Sequence, residues 1–175
     1  NELFVIVLLL IANGVFALAE IALVSSRKSR LKTLADHGNA RARLAWEQAE
    51  NPTRFLATVQ VGVTLSAIAA GAFSGAVFAE AISIWLLGHF PTLGEYAYPL
   101  SFGAVVVVIT YATIVLGELV PKRLGLANPE RWALALARPM AAVAAATAPF
   151  LWLLTVCTDG LARLLGAPAE PKVTV

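Results

Sequence analysis

Thr110–Gly125 reads TYATIVLGELVPKRLG, and the rest of the chain is best understood outward from it. The stretch closes a long apolar run with a carboxylate, a proline and a lysine, and an ionisable residue at membrane depth is kept only where it has a task. Pro121 has no N–H to donate, and its ring presses on the carbonyl four residues back. The Gly117 oxygen therefore loses its helical partner, and a break in the helix is expected there. Glu118 stands beside that oxygen. A carboxylate next to free backbone oxygens at a broken membrane helix is a ligand set for a hard cation. Lys122 lies four residues beyond Glu118. On an unbroken face the two would form an ion pair, but the intervening proline is expected to disturb that geometry. Lys122 then stands at the mouth of the site, bonds loose carbonyls, or snorkels. Gly125 offers a further carbonyl if the backbone unwinds.

The composition around this motif is that of a membrane protein. Of 175 residues, 59% are hydrophobic and 14% charged, and the mean hydropathy is +0.77, too apolar for an ordinary soluble domain. The expected fold is an all-α membrane protein with three transmembrane helices at about 3–25, 54–87 and 98–121. Amphipathic juxtamembrane helices over 129–165 follow on the cytoplasmic side. The first apolar run has no basic region before it and contains Glu20, so it reads as a mature span and not a cleaved signal. The start at Asn1 instead of Met suggests that further residues precede it. The second run is longer than a bilayer requires and carries Glu80. It must tilt, project beyond the hydrocarbon, or break near Gly71 and Gly75.

Charge placement predicts the topology. Arg27, Lys28, Arg30, Lys32, Arg41, Arg43 and Arg54 all fall between the first two runs, whereas Gly88–Tyr98 contains no lysine or arginine. The positive-inside rule then puts 27–54 in the cytoplasm, the amino terminus outside, and Lys122 and Arg123 back at the cytoplasmic face. Within 27–54 two short helices are expected, parted by Gly38-Asn39, with the next helix starting at Asn51-Pro52-Thr53. Their charges form a solvated face, or bind anionic lipid or a partner domain. The fourth apolar stretch, Trp132–Val156, holds Arg138, Pro139 and Pro149. It is expected to lie along the cytoplasmic interface or re-enter, which keeps the tail inside. Residues 167–175 read as the start of a linker.

Several function classes are excluded. One cysteine, two histidines outside the spans, and no glycine-rich phosphate loop give no disulfide framework, His/Cys metal cluster or catalytic constellation, so no enzyme is expected. The basic residues abut apolar spans and do not interleave with exposed aromatics, so no nucleic-acid partner is expected either. The remaining polar residues sit inside the runs. Asn13 and Glu20 are seven apart on one face of the first span, and Glu20 is a candidate to pair with an arginine. Ser25 ends that span as a cap or as a ligand. Gln60, Thr64 and Ser66 lie in the second span among small residues that favour close helix packing, and they are available to a polar pocket at that contact.

These residues resemble a known family. Ala19-Glu20-Ile21-Ala22-Leu23-Val24-Ser25, the basic segment from Arg27, Gln60-Val61-Gly62, and Gly117-Glu118-Leu119-Val120-Pro121-Lys122-Arg123 look like the transmembrane domain of the CorC/CNNM magnesium transporters. The likeness covers nearly the whole chain, and the Gly-Glu-x-x-Pro-Lys motif is its most specific part. It implies a membrane domain over 1–166, a homodimer in a bacterial inner membrane, and Na+-coupled efflux of Mg2+ as substrate. It also implies a cytoplasmic CBS-pair module beyond Val175 that binds ATP. By motif, the implied metal ligands are Ser25, Glu118 and Gly125, with Pro121 and Lys122 shaping the broken helix. The chain departs from magnesium-transporting members at Ala17, Ala19, Val63 and Ala67, where serines and asparagines are usual. Ser66 or Thr64 would then substitute as ligands beside Gly117 and Glu118. Relatives with this less polar second span resemble polyamine exporters, an alternative cargo that would use two carboxylates. A membrane sensor or scaffold that transports nothing is a third reading.

Overall fold

The computed structural model describes residues 2–165, so the linker expected at 167–175 lies outside the described residues. The described residues form helices α1 Glu2–Ser25, α2 Lys28–Asp36, α3 Ala40–Glu50, α4 Pro52–His89, α5 Ala97–Ile114, α6 Val120–Ala127, α7 Pro129–Ala146 and α8 Ala148–Leu164. A 3-10 turn, Pro91–Tyr96, leads into α5, and a π-helical turn, Val115–Leu119, joins α5 to α6. Among the described residues three helices are long and apolar enough to cross a membrane, Glu2–Ser25, Pro52–His89 and Pro91–Ala127, and the bent pair Pro129–Ala146 and Ala148–Ala162 would be a fourth if it acts as one span. The molecule is an all-α integral membrane protein.

Local signals account for the boundaries. Gly38 takes φ +85°, the left-handed conformation that ends a helix cheaply only with glycine. The Asn39 side chain then accepts hydrogen bonds from the N–H groups of Arg41 and Ala42 and caps α3. Pro52 opens α4 in the first turn, where a missing N–H costs nothing. The expected division of 27–54 into two helices is therefore present.

One alternative falls away and one expectation fails. α4 does not break at Gly71 or Gly75 but runs through 38 residues, which leaves tilt or projection beyond the hydrocarbon. Gly75 is a packing position, where an added Cβ would sit 2.8 Å from the Phe102 ring of α5. Nor does the third helix break at the Gly-Glu-x-x-Pro-Lys motif. Ile114, Val115, Leu119 and Val120 keep right-handed helical dihedrals, and the Val120 N–H reaches back five residues to the Val115 carbonyl. The helix widens instead of unwinding. Shifting the ladder by one residue places Pro121 in the first turn of α6, where its lack of an N–H is tolerated. Gly125 accordingly lies inside α6, not in unwound backbone.

α1 is the central strut, packing against α4, the third helix and α7. At its carboxyl end the small side chains Ala19 and Ala22 meet Leu31 of α2, Ala45 of α3, Val59 of α4 and Ala137 of α7 in one buried cluster. That cluster ties the juxtamembrane helices to the bundle. Gln48 adds a hydrogen bond of 3.0 Å to the Ala137 carbonyl, and Arg30 approaches Glu130 at 3.8 Å. α7 and α8 meet at a 64° bend.

Candidate cation site at the π-helical turn

α1 and the third helix lie side by side and parallel, because their contacts advance together in sequence. Asn13 meets Gly117, Gly14 meets Pro121, Glu20 meets Lys122, and Leu18 and Ile21 meet Gly125. Glycine allows this approach. A Cβ on Gly14 would stand 3.0 Å from Pro121 Cγ, one on Gly117 would stand 2.7 Å from Asn13 Nδ2, and one on Gly125 would collide with Ile21 Cγ2.

The carbonyl released at Gly117 is not left free. Asn13, only 2% exposed, donates its amide N–H to that oxygen across 2.9 Å. A buried acceptor without a partner costs roughly 1–3 kcal/mol, and this side chain removes that penalty from the π turn. The same amide leaves its own Oδ1 buried without a partner. An uncommitted oxygen therefore sits beside the turn that carries Glu118.

One helical turn toward the basic boundary the charges converge. Lys122 Nζ lies 2.9 Å from Glu118 Oε1 and 3.5 Å from Glu20 Oε2. The expected disturbance of the Glu118–Lys122 pair does not occur, because the chain stays helical through Pro121 and keeps the two side chains one turn apart. Glu20 pairs with this lysine and not with an arginine, since its face of α1 is turned to the third helix. The three side chains are only partly exposed, 33% for Lys122, 33% for Glu20 and 43% for Glu118. Two carboxylates against one ammonium leave one formal negative charge, which the bundle does not enclose.

The other sequence candidates fall elsewhere. Ser25 ends α1 five residues past Glu20, a rotation that carries it well off the Glu20 face. Its hydroxyl makes no hydrogen bond among the described residues, whereas Ser26 back-bonds to the Leu23 carbonyl at 2.8 Å. Gln60 and Thr64 lie on an exposed face of α4, where the glutamine amide donates to the Thr64 hydroxyl at 3.4 Å. Ser66 is buried one turn from Gly62, and Gly62 abuts the Phe16 ring, so Ser66 faces α1. Among the described residues no group of three or more His, Cys, Asp or Glu is placed to hold a metal ion. The oxygens that could serve a cation are the carboxylates of Glu118 and Glu20 and, deeper in the bundle, Asn13 Oδ1 and the Gly117 carbonyl. Sequence reasoning ranked Asn13 and Glu20 below Ser25. Their seven-residue spacing was the available signal, because it aims both at one neighbour.

Known proteins match the chain end to end. The family model described as the cyclin M transmembrane N-terminal domain (CNNM) matches residues 4–175. The UPF0053 protein sll0260 of Synechocystis sp. is 47% identical over 169 residues, covering 97% of this chain and 38% of the relative. The polyamine export protein of Salmonella typhimurium is 35% identical over 172 residues, covering 98% of this chain and 38% of the relative. The protein of the same name in Escherichia coli is 33% identical over an equal length and the same shares. The chain spans less than half the length of these relatives. A three-span bundle with the Gly-Glu-x-x-Pro-Lys turn packed on the first span, matched over all but three of its residues, belongs to the CorC/CNNM-type family and represents its transmembrane domain.

Proposed function

We propose that the chain is the membrane-embedded part of a cation exporter and that its cargo is a polyamine, held through a primary ammonium by Glu118 and Glu20. One observation carries the reading: the two carboxylates already hold a primary alkylammonium, that of Lys122, at 2.9 and 3.5 Å. A pocket that seats the end of a lysine side chain is matched in charge and donor geometry to the end of a diamine. The names of the Salmonella and Escherichia relatives support the same cargo. The basic 27–54 segment would lie in the cytoplasm with the amino terminus outside, which puts the carboxylates near the cytoplasmic boundary, suited to loading from within.

A second reading is efflux of Mg2+, as the family resemblance implies, with coupling to Na+. The observation in its favour is the unpartnered Asn13 Oδ1 beside the Gly117 carbonyl. Such oxygens suit a hard cation better than an alkyl chain. Ser25, a ligand by the family resemblance, ends α1 five residues past Glu20.

Transport of radiolabelled putrescine into proteoliposomes, with Mg2+ as competitor, tests the proposal. Saturable uptake reduced about tenfold or more in Glu118→Gln is expected, since losing one partner of a charged pair typically costs upward of a factor of ten. Uptake equal in wild type, Glu118→Gln and protein-free liposomes would sink it. Saturable Mg2+ transport without putrescine transport would move the assignment to the second reading.

A further inference from the structure

We propose that Lys122 is a tethered occupant of the cation site, which must leave Glu118 and Glu20 before a free cation can bind and which returns to expel it. This rests on the reading that these two carboxylates hold the cargo, and it adds how the site is kept from holding it too tightly.

The geometry supports an exchangeable occupant. Both ion pairs of Lys122 end on the same Nζ, one within its own helix and one across to α1. All three side chains are partly exposed on the outside of the bundle, so the ion pairs can separate without parting the helices. The lysine head rides on a flexible four-carbon stem with several rotatable bonds, and it can move toward the basic boundary while the backbone stays helical. Glu118 and Glu20 sit on two helices fixed to one another by the close approaches at Gly14, Gly117 and Gly125. The backbones that carry the two carboxylates are therefore held in register while the ammonium between them is free to move.

A tethered group competes at an effective concentration of about millimolar or higher. A site that is free for only a small fraction of the time binds its ligand more weakly by that fraction. The lysine thus lowers the apparent affinity for cargo and speeds release, because a departing cation is replaced at once by a charge already in place. Without it, two fixed carboxylates would bind a diamine or a divalent ion tightly and release it slowly. The neighbouring Arg123 provides the internal comparison, because it carries the same charge one residue further on, is exposed, and forms no ion pair among the described residues.

Equilibrium binding of radiolabelled putrescine and its export from proteoliposomes test the idea in wild type, Lys122→Gln, Lys122→Arg, Arg123→Gln and Glu118→Gln. Lys122→Gln is expected to bind putrescine about tenfold or more tightly and to turn over more slowly. Lys122→Arg, whose fork grips both carboxylates, is expected to bind it more weakly than wild type. Arg123→Gln should change affinity less than about twofold, as a screened exposed charge does. If Lys122→Gln binds no better than wild type while Glu118→Gln abolishes binding, the tethered-occupant idea is wrong and the site assignment stands. The idea is equally overturned if Arg123→Gln sharpens binding as much as Lys122→Gln, since the effect is then only net charge. Loss of no binding in Glu118→Gln would instead overturn the site itself. Should Lys122→Gln fail to fold, judged by helical circular dichroism and monodisperse elution, Lys122→Arg decides: affinity equal to or above wild type refutes the proposal.

Discussion

Gly125→Ala is the substitution that most directly probes how α1 is seated. The added methyl would collide with Ile21 Cγ2 and would stand 3.2 Å from Leu18 Cδ1 and 3.3 Å from the Leu18 carbonyl oxygen. Ile21 and the Leu18 side chain can turn away, but the carbonyl belongs to the backbone of α1 and can move only with the helix. Overpacking of this kind costs about 1–3 kcal/mol, offset by about 0.5–1 kcal/mol because alanine is the better helix former. The net expectation runs from about zero to about 2.5 kcal/mol of destabilisation. Gly103→Ala in α5 is the control, since a Cβ there meets nothing within 4 Å. It should keep the full helix gain of about 0.5–1 kcal/mol. The helix gain is common to both, so at roughly 2–4 °C per kcal/mol for a chain of this size the two variants should melt about 2–12 °C apart in detergent, with Gly103→Ala the higher. Separating α1 from α6 should also lengthen the 3.5 Å contact of Lys122 with Glu20 while leaving the 2.9 Å contact with Glu118, which is internal to the third helix. Equal melting temperatures, or Gly125→Ala above the control, would refute the packing argument.

Other substitutions extend the test. Gly62→Ala puts a methyl about 2.6 Å from the Phe16 ring and should destabilise by about 1–3 kcal/mol; adding Phe16→Leu should restore much of that, so the double-mutant cycle should show coupling above about 0.5 kcal/mol. Asn39→Ala removes the acceptor for two N–H groups at the start of α3 and should cost about 1 kcal/mol, seen as faster amide exchange in that helix. Asn13→Asp puts an acceptor-only carboxylate against the Gly117 oxygen and should cost about 3 kcal/mol or more at neutral pH. A melting temperature of Asn13→Asp equal to that of wild type at neutral pH would contradict this account.

Much of the bundle was legible because its determinants are local. The apolar run lengths, the Gly38-Asn39 stop and cap, and Pro52 at a helix start each act within a few residues. The clustering of basic residues between the first two runs marked out α2 and α3 for the same reason. The fate of the third helix was not legible. Pro121 predicts a local defect, but whether that defect is a break or a widened turn depends on what meets the released Gly117 carbonyl, and the donor is Asn13, 104 residues away. The Glu20–Lys122 contact was hidden likewise, since its residues meet only once α1 lies parallel to the third helix. Ser25 drew attention by motif, yet a rotation of five residues past Glu20 takes it off the shared face. Glycines deceived in the opposite sense: Gly75 and Gly125 read as places where helix could fail, and both admit a neighbouring side chain to a helix that continues.

The parallel seating of α1 on the third helix has a mechanical consequence. Asn13 on Gly117, Gly14 on Pro121, and Leu18 with Ile21 on Gly125 are three successive interlocks along one seam. Sliding either helix along the other would drive a side chain into backbone at each step, so the two behave as a single stiff spar and Pro121 is not a hinge. α4 is seated on that spar by contacts of the same kind, the Phe16 ring of α1 against Gly62 and the Phe102 ring of α5 against Gly75. Glu118 and Glu20 accordingly ride on helices that move as one body, so their spacing survives any motion of the rest of the bundle.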